Sequence, residues 1–298
     1  MGSRKKEDED LSTLEIDNSL VHSHCPACRG ENLIGIGNLK YASPTQYSSH
    51  TIQLSRPPEL WRCTNCGTYF TQNAIPEETA MQFYRAGSSE RRWSGNNRFD
   101  TVKPREVVRG LASLFRPGQR VLDIGCNSGA LLDFAKTSGC QTEGVETSQT
   151  SQSICSANGH VIHASLGTVE GYFGLITAFD LIEHLYDLST FFAFAMKHLE
   201  PDGALVLLTG DICSWPAKLA GCKWWYLCYP EHVVFPSRKF LSEKSGFRKI
   251  QFIATYASSD YRIPIPKRIR HVFRPLISHQ YNGLPALGPD HILVIMRR

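Results

Sequence analysis

No uninterrupted apolar run in the 298-residue chain approaches the roughly 20 residues of a membrane-spanning helix, so no bilayer span is expected. The opening Met-Gly-Ser-Arg-Lys-Lys-Glu-Asp-Glu-Asp has no apolar centre either. It reads as part of a solvated, disordered tail over residues 1–22 rather than of a signal peptide, and a cytoplasmic location is expected. Strong net charge is also missing, because a formal +4 does not by itself call for a polyanionic partner. There is no internal repeat. The hydrophobic share of 42% and the charged share of 20% are ordinary for a globular chain large enough to bury one substantial core and a smaller unit.

Ten cysteines without a secretory signal point to thiols and metal thiolates rather than disulfides. Four of them stand as Cys25-Pro-Ala-Cys28 and Cys63-Thr-Asn-Cys66, each pair closely followed by glycine. Two such knuckles complete a tetrahedral set of four thiolates, read as a zinc ribbon over residues 23–75. Full ligation by cysteine leaves no position for substrate, so this zinc is expected to be structural.

Beyond a polar, aromatic stretch at 76–103, read as a linker or a lid with a helix near 77–84, apolar strands alternate with helical patterns. Strands are predicted at 120–124, 142–146, 161–164, 175–179, 204–208, 247–254 and 291–296. The fold class is therefore α/β: a Rossmann-like, mostly parallel sheet with helices on both faces, preceded by the small ribbon. Its centre is Val-Leu-Asp-Ile-Gly-Cys-Asn-Ser-Gly at 121–129, a strand turning through glycine into a helix, where backbone N–H groups and the helix N-terminus favour a nucleotide. The turn has no following Lys-Ser/Thr, which argues against a triphosphate cradle, and its spacing is not that of Gly-x-Gly-x-x-Gly dinucleotide folds. About 20 residues on, Gly-Val-Glu146-Thr-Ser supplies a carboxylate where open α/β sheets bind ribose hydroxyls.

Asp-x-Gly-x-x-x-Gly followed by Gly-Val-Glu-x-Ser resembles the class I S-adenosylmethionine-dependent methyltransferases from Arg120 onward. The resemblance implies S-adenosylmethionine as cofactor, with Asp123, Gly125, Asn127, Gly129, Glu146 and Asp180 as the residues expected to bind it. Phe173-Gly174-Leu175 departs from the Phe-Asp that relatives carry before the fourth strand.

After the strand at 204–208 the rhythm breaks into a long connection, 210–236, carrying Asp211, Trp215, Trp224, Trp225, Tyr226, Tyr229, Glu231 and His232, and a second irregular stretch occupies 258–290. Long aromatic connections beyond a carboxyl strand end are where ligands bind. The ribbon, the glycine turn and Tyr-x-x-His together look like the zinc-containing sugar methyltransferases of deoxysugar and antibiotic pathways. By that resemblance His232 is the base and Tyr229 assists it, and the acceptor is a sugar, nucleotide-sugar or natural-product intermediate. Those enzymes usually carry a further C-terminal domain, and whether the methyl goes to oxygen, carbon or nitrogen stays open. Trp224 and Trp225 either roof the core or stack on a ligand ring.

Two other functions compete. The ribbon and the basic patch of Lys267, Arg268, Arg270, His271 and Arg274 could grip RNA or DNA, but no aromatic platform is interleaved there and no Asn/Asp-Pro-Pro-Tyr/Phe motif occurs. A noncatalytic scaffold is disfavoured by the intact Asp123, Gly125, Gly129 and Glu146.

Overall fold

The computed structural model describes residues 13–47, 50–86, 111–255 and 288–298. A seven-stranded sheet forms the centre, built from β7 (Arg120–Ile124), β8 (Gln141–Val145), β9 (Val161–His163), β10 (Phe173–Phe179), β11 (Leu199–Gly210), β13 (Lys249–Thr255) and β14 (His291–Arg297), in the order β13-β14-β11-β10-β7-β8-β9. Strands β9, β8, β7, β10 and β11 pair in parallel, while β14 runs antiparallel between β11 and β13. The order reverses between β7 and β10, the point where open sheets leave a crevice beyond the carboxyl strand ends.

Side-chain alternation makes this sheet two-faced. Leu122, Ile124, Ile176, Ala178, Leu205, Leu207 and Val294 join one core, and Val121, Leu175, Val206, Leu208, Leu293 and Ile295 join another. Helix α2 (Ala130–Thr137) covers the second face with Leu131 and Ala135. Helix α4 (Leu188–His198) covers the first with Phe191, Phe192 and Ala195. Asp187 caps α4 by accepting from the Ser189 and Thr190 N–H groups. Between them in sequence, α3 (Gln149–Ala157) is capped by Ser148, whose side chain accepts from the Ser151 N–H.

The predicted strand at 204–208 extends in the structure from Leu199, and Pro201 to Gly203 fall in the register shift between the pairs Phe173 with Leu199 and Leu175 with Ala204. The chain that precedes β7 departs more from expectation. Residues 14–16 form β1 (Leu14–Ile16) in a small sheet with β4 (His50–Leu54) and β3 (Thr45–Tyr47), and Leu20 bridges to Ala74. Asn18 is fully buried and donates to the carbonyls of Arg56 and Asn73. The expected tail of residues 1–22 is thus ordered from residue 13 on, because a buried Asn amide answers two backbone carbonyls that would otherwise lack donors. Residues 1–12, most of the expected lid beyond 86, and the basic patch at 267–274 lie outside the described residues.

A four-stranded antiparallel sheet carries the cysteines: β2 (Leu33–Asn38), β5 (Glu59–Cys63), β6 (Tyr69–Gln72) and, from the 210–236 connection, β12 (Val234–Phe235). That connection also forms α5 (Trp215–Ala220) and, through Ser237, caps α6 (Arg238–Glu243). Because β12 pairs with β6, the four-cysteine unit and the main sheet share one continuous core that includes Cys25, Cys63, Phe70, Phe191 and Leu205.

Candidate functional site

The two cysteine knuckles meet as their spacing predicts. Sγ of Cys25 lies 3.7 Å from that of Cys66, and Cys28 lies 3.7 Å from Cys63. A tetrahedron with metal to sulfur distances of about 2.3 Å has edges of about 3.8 Å, so the donor set fits a zinc ion and is far too open for disulfides. Among the bare thiols the hydrogen bond from Cys25 pulls the Cys66 thiol down to about 5, whereas burial lifts Cys28 to about 11. One acidic thiol among raised neighbours is a set that a cation can deprotonate together. The glycines after the knuckles serve different ends. Gly67 has a φ of +79° and closes the turn through its N–H to the Cys63 carbonyl. In the first knuckle Arg29 takes the left-handed position at φ +61°, and the Asn65 side chain lies over Gly30, where a Cβ would come 2.4 Å from its amide nitrogen and displace it.

At the carboxyl end of β7 the chain turns through Gly125 (φ +75°), Asn127 (φ +47°) and Gly129 (φ +85°) before α2. The N–H of Gly125 donates to the Val145 carbonyl at the end of β8, locking the two strand ends together. Glu146 follows directly. Its carboxylate accepts from the N–H groups of Thr147 and Ser148, both at 2.8 Å, and of Asn127 at 3.0 Å. The carboxylate expected at ribose hydroxyls thus also ties the turn after β8 to the glycine turn; Oε1 accepts two of the three bonds and Oε2 one, so Oε2 keeps a further lone pair. Asp123, one residue short of the β7 end, is buried, accepts from Thr177 Oγ1 at 2.6 Å, and is pushed up to about 7 chiefly by burial.

The end of β10 builds the other wall. Asp180 sits at φ +48°, a left-handed position that Asp tolerates better than most residues. It leads into a 3₁₀ turn, Ile182–His184. Leu181 packs over Gly125, where a Cβ would come within 3.0 Å of its Cδ1, so this segment rests on the glycine turn. Glu183 is fully buried, accepts from Thr209 Oγ1 at 2.8 Å and from the Tyr226 hydroxyl, and is raised to about 7, chiefly by burial and then by Asp180. The same two causes, burial first and then the neighbouring carboxylates, hold the Tyr226 phenol well above its usual value, so it stays a donor.

His184 and His232 stand edge to face with ring centroids 4.7 Å apart. Nδ1 of His232 lies 2.7 Å from the Tyr226 carbonyl, and Nδ1 of His184 lies 3.0 Å from the Glu231 carbonyl and 2.9 Å from the Tyr84 hydroxyl. Carbonyls only accept, so in the neutral rings both protons sit on Nδ1 and both Nε2 atoms carry lone pairs. Tyr84 belongs to α1 (Glu77–Ala86), which brings the predicted 77–84 helix to this site.

Tyr229 occupies another place from the one expected of a partner to His232. Its hydroxyl donates to the Asn73 carbonyl at 3.2 Å and its ring packs edge to face on Tyr41, both on the side of the four-cysteine unit. The tyrosine against the His232 ring is Tyr226, at 4.4 Å between centroids. Three residues separate the two, and in an irregular connection spacing does not settle which one faces inward. Trp224 and Trp225 both donate to Asp290, at 3.2 and 2.6 Å, which fixes them under β14. Trp224 is buried, so it roofs the core. Glu183, Thr209, Tyr226 and Asp290 carry the site without having been singled out. Glu183 alone had a signal, as an acid beside a histidine at a carboxyl strand end.

Comparison with known proteins bears on this geometry. A family model described as a methyltransferase domain matches residues 96–251, more than half of the chain. The ubiquinone biosynthesis O-methyltransferase of Bradyrhizobium diazoefficiens is 31% identical over 101 residues, covering 31% of this chain and 40% of that protein. The chain therefore matches less than half the length of that relative. Among solved structures, an S-adenosylmethionine-dependent methyltransferase from Archaeoglobus fulgidus aligns with 75% of this chain and all of its own at 18% identity and a TM-score of 0.46. A possible histamine N-methyltransferase from Thermotoga maritima aligns with 70% of this chain and 93% of its own at 16% identity and a TM-score of 0.48. On the strength of the family model, the chain belongs to the methyltransferase-domain family of enzymes.

Proposed function

We propose that the protein transfers a methyl group from S-adenosylmethionine to a small-molecule acceptor, of the sugar, nucleotide-sugar or natural-product class. The observation that carries this reading is the meeting of two walls at the carboxyl strand ends: the turn of Gly125, Asn127 and Gly129 with Glu146 on one side, and the Glu183, His184 and His232 cluster on the other, joined where Leu181 packs on Gly125. The first wall offers backbone donors, a helix N-terminus and a carboxylate, the set that holds an amino-acid carboxylate and a ribose. Asp123 and Asp180 belong to the same end of the sheet.

Methyl transfer from a sulfonium is an in-line displacement, and the protein must align the acceptor and take its proton when it carries one. His232 is the residue we assign to that task. Its Nδ1 lies 2.7 Å from the Tyr226 carbonyl, which sets the proton of the neutral ring on Nδ1 and makes Nε2 the basic nitrogen. Tyr226 positions the ring; Tyr229 instead anchors the connection to the four-cysteine unit. Nε2 of His291, buried beside Tyr226 and without a hydrogen-bond partner among the described residues, adds a polar group to the acceptor side. The four cysteines hold a structural zinc ion in this reading.

A screen of sugars, nucleotide-sugars and related metabolites with methyl-labelled S-adenosylmethionine tests the proposal. Label transferred to one acceptor class, and lost in His232→Ala with S-adenosylmethionine affinity retained, is the expected outcome. Label transferred only to RNA or DNA would overturn the small-molecule assignment.

A further inference from the structure

The Glu183, His184 and His232 cluster holds more ligating power than a single proton acceptor requires. One carboxylate oxygen and one nitrogen from each ring all lie within 4.8 Å of one another. Glu183 is fully buried and the two histidines are half-buried. The backbone carbonyls of Glu231 and Tyr226 lie 3.0 and 2.7 Å from Nδ1 of His184 and His232 and orient the two rings. Hydrogen bonds from Thr209 and Tyr226 orient the carboxylate while each of its oxygens retains a lone pair. These are the features of a metal site: ligands from two separate segments of chain, each aimed by a partner of its own.

We propose that Glu183, His184 and His232 bind a divalent first-row transition cation such as Zn²⁺ or Co²⁺, distinct from the ion of the four cysteines. Two imidazoles and one carboxylate suit such an ion better than Mg²⁺ or Ca²⁺, which favour all-oxygen shells. Three protein ligands leave positions open, and both histidines are partly exposed, so an acceptor oxygen can take one of them. The role of the ion rests on the methyl-donor reading. Bound to the cation, an acceptor hydroxyl loses its proton to water at lower pH. Its oxygen then forms the new bond to the methyl carbon, and the carbon–sulfur bond breaks with its electron pair going to sulfur, giving the thioether product. In the metal-loaded state His232 is therefore a ligand and the cation activates the acceptor, which commits the acceptor to one that presents oxygen.

Metal content per chain provides the test. Full-length protein is equilibrated with Co²⁺, dialysed, and measured by mass spectrometry of the metal, and the same samples are titrated with S-adenosylmethionine by calorimetry. The expected result is close to two ions per chain in the wild type and close to one in Glu183→Gln and in His184→Ala. One ion per chain in the wild type would overturn the proposal, while S-adenosylmethionine binding in that same sample would leave the donor reading standing. Two ions without any binding of S-adenosylmethionine would support the cation site and overturn the donor reading. Because the wild-type count decides the matter, a variant that fails to fold does not shield the proposal.

Discussion

Asp123 is an acid that the fold holds largely away from water. Burial raises it to about 7 from an ordinary 3.8, against the lowering effect of the Thr177 hydroxyl. Its folded value lies above its unfolded one, so its contribution to stability is complete below about pH 4 and is lost as pH rises to about 7. Asp123→Asn keeps an acceptor for Thr177 and removes the titration. Urea unfolding of the ligand-free protein is predicted to show a shallower loss of stability from pH 5 to 7 in this variant, by up to about 1.4 kcal/mol per pH unit. Equal slopes in the two proteins would contradict the account. The role proposed for His232 belongs to the same scale but concerns rate. Replacement by alanine removes a proton acceptor in the metal-free protein and a ligand in the metal-loaded one, and is expected to lower kcat by about 100-fold or more while S-adenosylmethionine affinity stays within about threefold. A kcat within a few-fold of wild type on the true acceptor would remove His232 from the chemistry.

At the scale of elements, the 210–236 connection joins the molecule's two parts. It leaves β11 at the active end of the main sheet, sends Tyr226 and His232 to the cluster, and adds β12 to the cysteine-bearing sheet. Ser237, just beyond, donates to the Cys66 carbonyl, and the Val233 N–H donates to the Glu183 carbonyl. Arg29 of the first knuckle pairs with Asp187, the cap of α4. Loss of the ion proposed for the four cysteines is therefore expected to loosen the chain around Glu183 and His232 as well as the ribbon. Chelation, or Cys63→Ser, is predicted to lower Tm by at least about 5 °C. An unchanged Tm in a protein shown by metal analysis to have lost the ion would rule out a structural role.

What could be read from the sequence divides along the same elements. Periodicity and glycine placement gave β7, β8, β10 and β14 within two residues of their observed bounds, because strands buried on both faces must be apolar runs ended by turn residues. The paired Cys-x-x-Cys motifs gave the meeting of four thiols. Irregular chain was harder to read. Neither the burial of Asn18 nor the choice of Tyr226 over Tyr229 beside His232 follows from local pattern, since both depend on which distant backbone groups need partners. Glu183 had a signal in its place beside a histidine at a strand end, but its burial was hidden, because its partners are hydroxyls 26 and 43 residues away.

For the whole molecule, the parallel sheet reverses its order between β7 and β10, and the proposed site residues lie at the carboxyl strand ends beyond that point, where open α/β sheets bind ligands. Helices cover both faces, and the four-cysteine unit shares its core with one of them. The central claim is that this end of the sheet holds S-adenosylmethionine against Glu146. Glu146→Ala removes the acceptor of three backbone N–H groups as well as the ribose contact, so a stability cost of about 1 to 3 kcal/mol is expected beside the loss of affinity. Calorimetric titration of the folded wild type and of Glu146→Ala with S-adenosylmethionine tests this most directly. The account predicts one site per chain in the wild type and affinity weakened by about tenfold or more in the variant. No binding by the wild type, or equal affinity in the two proteins, would contradict it.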